Sequence, residues 1–122
     1  FQKDLGAVHS CAHALSTVAD LHHGLANGIM IDHVMRFNAE AAAERMGELA
    51  RVCGAGASAR DFTDWLAALK ARIGLPARLG ERGVQAVHVA RLVEVAVADT
   101  CHRTNPRPVS AGDFERIFRA AL

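Results

Sequence analysis

Five of the chain's seven histidines, His9, His13, His22, His23 and His33, fall in the stretch GAVHSCAHALSTVADLHHGLANGIMIDHVMRFN at 6–38, among small and apolar residues. Neutral imidazole is the commonest protein ligand for iron, zinc and similar ions, so this density points to a metal site as well as to hydrogen-bonded core histidines. His9 and His13 stand one helical turn apart and project from one side of a helix. Such a pair shares a metal or shares a pocket, and spacing alone leaves both open. The residues between them lack the glutamate of a zinc-protease HExxH helix. An unbroken helix from His9 to His23 would hold them about 21 Å apart, whereas two ligands of one ion each lie about 2 Å from it. If both bind one ion, the chain must turn back between about Val18 and His22. Gly24 suits a close approach at such a turn, although a glycine at a helix end reads the same way.

The elements that must position these side chains read as helices. Leu5, Val8, Ala12, Leu15 and Ala19 draw one apolar stripe that predicts a helix over 5–19, and Leu25, Ile29, Val34 and Phe37 begin a second pattern ending at Asn38. A third helix is expected over 39–53, with Ala42, Met46, Leu49, Ala50 and Cys53 on one face and the glycines of a GAGAS loop closing it. A phosphate cradle is the functional alternative for that loop, but the loop follows a helix and lacks the Lys-Ser/Thr ending of a P-loop. Ser58 and Asp61 form a start signal close to a capping box, followed by an apolar face of Phe62, Trp65, Leu66, Leu69 and Ile73 that stops at Gly74 and Pro76. Trp65 reads as core.

Beyond a turn-rich connection at 75–83, the valines of 84–98 raise a strand alternative. The length of the segment and the recurrence of Gln85, His88, Arg91 and Glu94 favour a buried helix. Pro106 and Pro108 hold the next stretch in an extended loop, after which Ser110 and Asp113 cap a terminal helix with Phe114, Ile117, Phe118 and Leu122 inward. The expected class is all-α, a single helical domain or domain fragment over 1–122, with a metal-binding half at 1–38 and packing helices at 39–122.

Length and charge narrow the function. A chain of 122 residues suffices for one domain with a core, and 14 Lys and Arg against 13 Asp and Glu give no electrostatic argument for nucleic acid or an anionic membrane. Cys11, Cys53 and Cys101 are far apart and form no CxxC, which speaks against a disulfide framework and a cysteine zinc site. Reduced, buried thiols in a cytoplasmic protein are the expectation. No run of eighteen apolar residues and no signal-peptide pattern is present. The chain opens at Phe1 without a Met and is expected to be a piece of something longer.

The run G-A-V-H-S-C-A-H-A-L, then H-G-L-A-N, then H-V-M-R-F-N resembles the metal-binding signature of iron-containing alcohol dehydrogenases, the group III family related to glycerol dehydrogenase and dehydroquinate synthase. L-P-A-R-L-G-E-R-G-V and N-P-R-P-V-S-A-G-D-F-E-R-I-F-R-A-A-L look like the end of the same family, so the resemblance spans essentially the whole chain. It implies a helical bundle-like portion of the dehydroquinate synthase-like C-terminal domain. It also implies His9 and His23 as metal ligands, and His13 as a catalytic residue of the cleft near nicotinamide and substrate, a proton-relay or positioning group. His22, where relatives often have proline, and His33 are expected to be non-ligands; His88 and His102 take a structural reading.

In such enzymes a divalent metal, iron with zinc as the alternative, is expected to act as a Lewis acid on an alcohol or carbonyl oxygen while hydride passes to or from NAD or NADP. The chain departs from the family at Ser16 and Thr17, where a Gly-rich step is usual, and at Asp32, where proline is usual; both bear on the path of the turn. The family completes its site with an aspartate and a further histidine from an upstream helix, and binds its nucleotide mainly on an N-terminal domain. This sequence holds neither, and two ligands do not close a metal site, so the chain alone is expected to hold metal weakly and catalyse nothing.

The expected partners are a small-molecule alcohol or aldehyde in the complete enzyme, with no nucleic acid and no membrane, and either a second copy or the missing N-terminal part. Two other classes compete. A non-catalytic helical module derived from the same fold would associate through exposed apolar surface. A stand-alone metal-binding protein would need carboxylates, and only Asp20 and Asp32 lie close to the cluster in sequence.

Overall fold

Small residues let the first two helices pack closely. In α1 (Ala7–Ala19) Ala7, Cys11, Ala12, Ala14 and Leu15 are fully buried, and in α2 (His23–Asn38) so are Ala26, Ile29, Met30 and Val34. The computed structural model describes residues 5–122, which form six α-helices and three short 3-10 turns, with no strand among the described residues. The remaining helices are α3 (Ala43–Val52), α4 (Ala59–Arg72), α5 (Val89–Ala98) and α6 (Ala111–Ala121). One core joins α1, α2, α5 and α6, with Phe114, Phe118, Leu15, Ile29 and Leu92 among its fully buried side chains. A smaller cluster of Met46, Ala50 and Phe62 joins α3 to α4, with Trp65 half-buried against it.

The reversal between α1 and α2 falls inside the predicted window. Asp20 adopts the left-handed conformation (φ 52°), which a short polar side chain tolerates better than most. Ser16 Oγ donates to the Leu21 carbonyl at 2.8 Å and ties the turn shut, so the residue that departs from the family's Gly-rich step helps to close it. Gly24 is not the pivot; it lies in the first turn of α2, where an added Cβ would sit 3.3 Å from His22 Cε1.

The tail clamps both helices. Asn105 and Asn38 exchange amide hydrogen bonds (3.1 and 2.6 Å), and Asn105 Oδ1 also accepts from the Ala7 N–H at 3.3 Å. Gly6, at the N-cap of α1, offers no side chain, so Asn105 caps that helix from the far end of the chain. Arg107 donates to the Phe37 carbonyl at 3.1 Å, with its guanidinium carbon 4.2 Å from the Phe37 ring centre.

Both predicted capping boxes form, at Ser58 with Asp61 and at Ser110 with Asp113. In the GAGAS loop the Ala57 and Ser58 N–H groups donate to Asp61 Oδ2 (3.0 and 2.9 Å), so the helix's own carboxylate takes amides that a phosphate cradle would use.

Several boundaries differ from expectation. Residues 39–42 form a turn instead of beginning α3, with the Ala41 and Ala42 N–H groups donating to the Asn38 carbonyl (both 3.0 Å). The helix expected over 84–98 begins only at Val89; 3-10 turns occupy Leu79–Arg82 and Ala86–His88, and His88 Nδ1 accepts from the Gln85 N–H at 3.0 Å, a local alternative to helix. Val87 is exposed in the turn, and within α5 Arg91, Glu94 and Val97 are exposed, so α5 is amphipathic and not buried all round. Leu5, Leu49 and Ile73, placed on apolar stripes, also face solvent. Cys11 is buried, but Cys53 and Cys101 are only half-buried; none of the three forms a disulfide.

Candidate metal centre

The turn at Asp20 brings the start of α2 back against α1, and three imidazoles meet there. Ring centres lie 5.3 Å apart for His9 and His23, 5.2 Å for His13 and His23, and 6.1 Å for His9 and His13. A ligating imidazole sets its ring centre about 3.2 Å from the ion, so two rings at a tetrahedral angle on one ion lie about 5 Å apart. The His9–His23 and His13–His23 pairs both have the spacing of two rings on one ion. Burial lowers the basicity of His9, and the neighbouring His23 and His13 add to the effect, with Asp99 partly opposing. A lowered value favours the neutral ring that a metal requires.

Asn27, one turn along α2, steadies His23: its Nδ2 donates to the His23 carbonyl at 3.0 Å and lies 3.0 Å from His23 Nε2. Among the described residues its Oδ1 is the one buried side-chain oxygen or nitrogen without a hydrogen-bond partner. An orphaned acceptor is expected where another group completes a site. Asn27 and His9 also border a largely apolar cleft of about 590 Å³, walled by Ile31, Met35, Met46 and Phe62.

His13 is committed elsewhere. Its Nδ1 lies 2.7 Å from Asp99 Oδ2 at the end of α5, and Asp99 Oδ1 accepts from Ser10 Oγ (2.7 Å) and from the Cys101 N–H (2.8 Å). Partial burial opposes ionisation of Asp99, but these bonds, with a further one from the Cys101 thiol, outweigh it and hold the carboxyl well below the usual carboxylate range. The ligand-type atoms of His13, Asp99 and Cys101 all lie within 4.8 Å of one another, the one such trio among the described residues. Asp99 Oδ1 already accepts from Ser10 and from the Cys101 N–H, and Oδ2 faces the His13 ring. Asp20 and Asp32 are not near it: Asp20 is exposed in the turn, and Asp32 is buried in an ion pair with Lys70.

The remaining histidines stand apart. His22 is exposed at the N-cap of α2, and His33 Nε2 lies 3.3 Å from the Ala77 carbonyl. His102 packs edge-on to Phe114, with Nε2 3.2 Å from the Val97 carbonyl. Sequence reasoning passed over Asp99, Cys101, Ser10 and Asn27. Asp99 ends an apolar helix and looks like any polar stop; only the long-range fold carries it to His13.

A family model described as the Fe-containing alcohol dehydrogenase family, C-terminal, matches residues 2–122. The chain is 34% identical over 131 residues to 4-hydroxybutyrate dehydrogenase of Cupriavidus necator, a match covering 100% of this chain and 34% of that protein. It is 33% identical over 124 residues to lactaldehyde reductase of Escherichia coli K12, covering 96% and 32%. The solved structure of 1,3-propanediol oxidoreductase superposes with a TM-score of 0.91 at 32% identity, over 97% of this chain and 33% of that one. Iron-containing alcohol dehydrogenase from Thermococcus thioreducens gives 0.85 at 28% identity, over 96% and 32%. The chain thus spans about a third of the length of the relatives it matches.

Proposed function

Because the chain belongs to the iron-containing alcohol dehydrogenase family, we propose that it is the metal-binding helical portion of an NAD(P)-linked enzyme interconverting an alcohol and an aldehyde or ketone. The observation that carries this reading is the approach of the His9 and His23 rings to 5.3 Å across the Asp20 turn. His9 and His23 are the two ligands this chain offers to a divalent cation, iron or zinc, and 1–38 is its metal-binding half. When bound there, such a cation supplies Lewis acidity toward the alcohol or carbonyl oxygen. Further ligands come from outside the chain, since His13 and Asp99 are engaged with each other. His13 stands beside the pair with its ring 40% exposed, where it can take a proton from, or return one to, a substrate hydroxyl. The dinucleotide is held mainly by a part of the enzyme outside this sequence, and the chain alone does not catalyse.

The small-molecule relatives, 4-hydroxybutyrate dehydrogenase and lactaldehyde reductase among them, support a short alcohol or aldehyde as substrate class. No helix among the described residues is long and apolar enough to cross a membrane; a cytoplasmic location and association with a second copy or with the rest of the enzyme belong to the same proposal. Substituting alanine for His9 or for His23 in the complete enzyme should abolish metal retention and activity together. Stoichiometric metal with full turnover in either variant defeats the assignment. The second reading, a non-catalytic association module, draws on the apolar cleft and on exposed Val52, Ile73 and Leu49. A stable, metal-free oligomer of this chain in sedimentation would favour it.

A further inference from the structure

We propose that Asp99 is a positioning residue that fixes His13 with its proton on Nδ1, leaving Nε2 as the atom that exchanges a proton with the substrate hydroxyl. The inference deepens the dehydrogenase reading and rests on it.

The geometry carries the argument. Asp99 Oδ2 lies 2.7 Å from His13 Nδ1, and an ionised carboxylate is an acceptor only, so the proton between them sits on the imidazole. In the neutral ring that leaves the lone pair on Nε2, which makes no hydrogen bond among the described residues while the ring remains 40% exposed beside His23. Asp99 is itself held from two elements. Ser10, fully buried on α1 one turn before His13, donates to Oδ1 at 2.7 Å, and the Cys101 N–H donates to the same oxygen at 2.8 Å. Ser10 and His13 therefore grip the two oxygens of one carboxylate from a single helix face, which fixes the ring plane as well as the tautomer.

The proton step balances within these groups. As the substrate hydroxyl loses its proton, Nε2 gains it, and the resulting imidazolium is paired with the Asp99 anion; reduction of the carbonyl runs the same transfer backwards. The His13, Asp99 and Cys101 trio is accordingly a carboxylate-oriented imidazole and not a second cation site, because the carboxylate is already occupied by donors.

Asp99→Asn in the metal-loaded complete enzyme tests this. The asparagine oxygen keeps Ser10 and the Cys101 N–H, so its NH₂ turns toward His13 Nδ1 and drives the ring proton to Nε2. Nitrogen-15 histidine spectra should show the neutral wild-type ring protonated on Nδ1 and the variant ring on Nε2. Turnover should fall about 100-fold or more, with KM and bound metal within about twofold. Combining Asp99→Asn with His13→Ala should cost no more than His13→Ala alone. A wild-type ring protonated on Nε2 overturns the proposal even if the variant fails to fold. Unchanged turnover overturns it, and so does metal loss in Asp99→Asn, which would put His13 among the ligands. A wild type without bound metal or dehydrogenase activity defeats the earlier reading instead, and the tautomer measurement still decides whether Asp99 orients His13.

Discussion

Replacing Asn105 with alanine should damage the site from the opposite end of the chain. The Asn105 amide makes both bonds to Asn38, caps α1 through the Ala7 N–H, and donates to the Arg107 carbonyl at 2.7 Å. Asn38 is 1% exposed, so truncation strands its amide nitrogen and oxygen in the interior. Each buried group left without a partner costs about 1–3 kcal/mol. The pair borders the apolar cleft, where water can enter and satisfy part of the loss, which brings the amide contribution to about 2–4 kcal/mol. Loss of the cap on α1 adds about 1 kcal/mol. Against a typical stability of about 5–15 kcal/mol this is a large fraction. Urea unfolding of the chain should show the midpoint fall with little change in slope. Asn38→Ala should cost a similar amount, and the double variant little more than either single one, a coupling of at least about 1 kcal/mol. Additive losses, or a loss below about 1 kcal/mol for Asn105→Ala, would refute the clasp.

Three other outcomes follow from the packing. Lys70 donates to Asp32 and to the Ile29 carbonyl (2.6 Å) with both ionic side chains under a tenth exposed, so Lys70→Ala should cost about 3–5 kcal/mol in urea unfolding, while Lys70→Met with Asp32→Leu should come close to wild type. In Gly47→Ala the new Cβ would meet the Ala57 carbonyl oxygen at 2.6 Å, and the strain of separating α3 from the loop should cost about 1–3 kcal/mol by the same assay. Hydrogen bonds from the Ser110 hydroxyl and backbone hold Asp113 at about 2 against an ordinary 3.8, so its contribution is full above pH 3.8 and is lost as pH falls toward 2. An acid titration followed by circular dichroism should show that decline flattened in Asp113→Asn, with no change near neutrality beyond the weaker cap.

Helix positions were legible wherever the signal was local. The caps at Ser58 and Ser110 need only residues three apart, and both formed as read. The need for a turn before His23 followed from helix rise alone. What escaped was set by distant partners. The apolar pattern ends α2 at Asn38, as observed, but nothing in the sequence near 39 announces the turn that delays α3 to Ala43, or the clasp of Asn38 by Asn105 beside it. The apolar richness of 84–98 overstated its burial, since Val87 and Val97 face out while only Val84, Val89, Leu92 and Ala96 are buried. Asp32 looked like a departure from proline at a turn; its partner Lys70 lies on α4, and the pair ties α2 to α4.

The histidine site is therefore a product of two kinds of constraint acting on one short helix pair. Ser16 and Asp20 make the reversal locally, and that suffices to bring His23 back toward His9. Rotation of the rings about that reversal is set from elsewhere. Asp99 fixes His13 and Ser10 on one face of α1, and Asn105 anchors the first turn of the same helix at Ala7, a half-turn before His9. Both anchors come from the chain between α5 and α6, so a change there should alter the site without touching a histidine. Imidazoles ordered by protein contacts in this way lose less conformational freedom on binding any ligand than rings that must first be brought together.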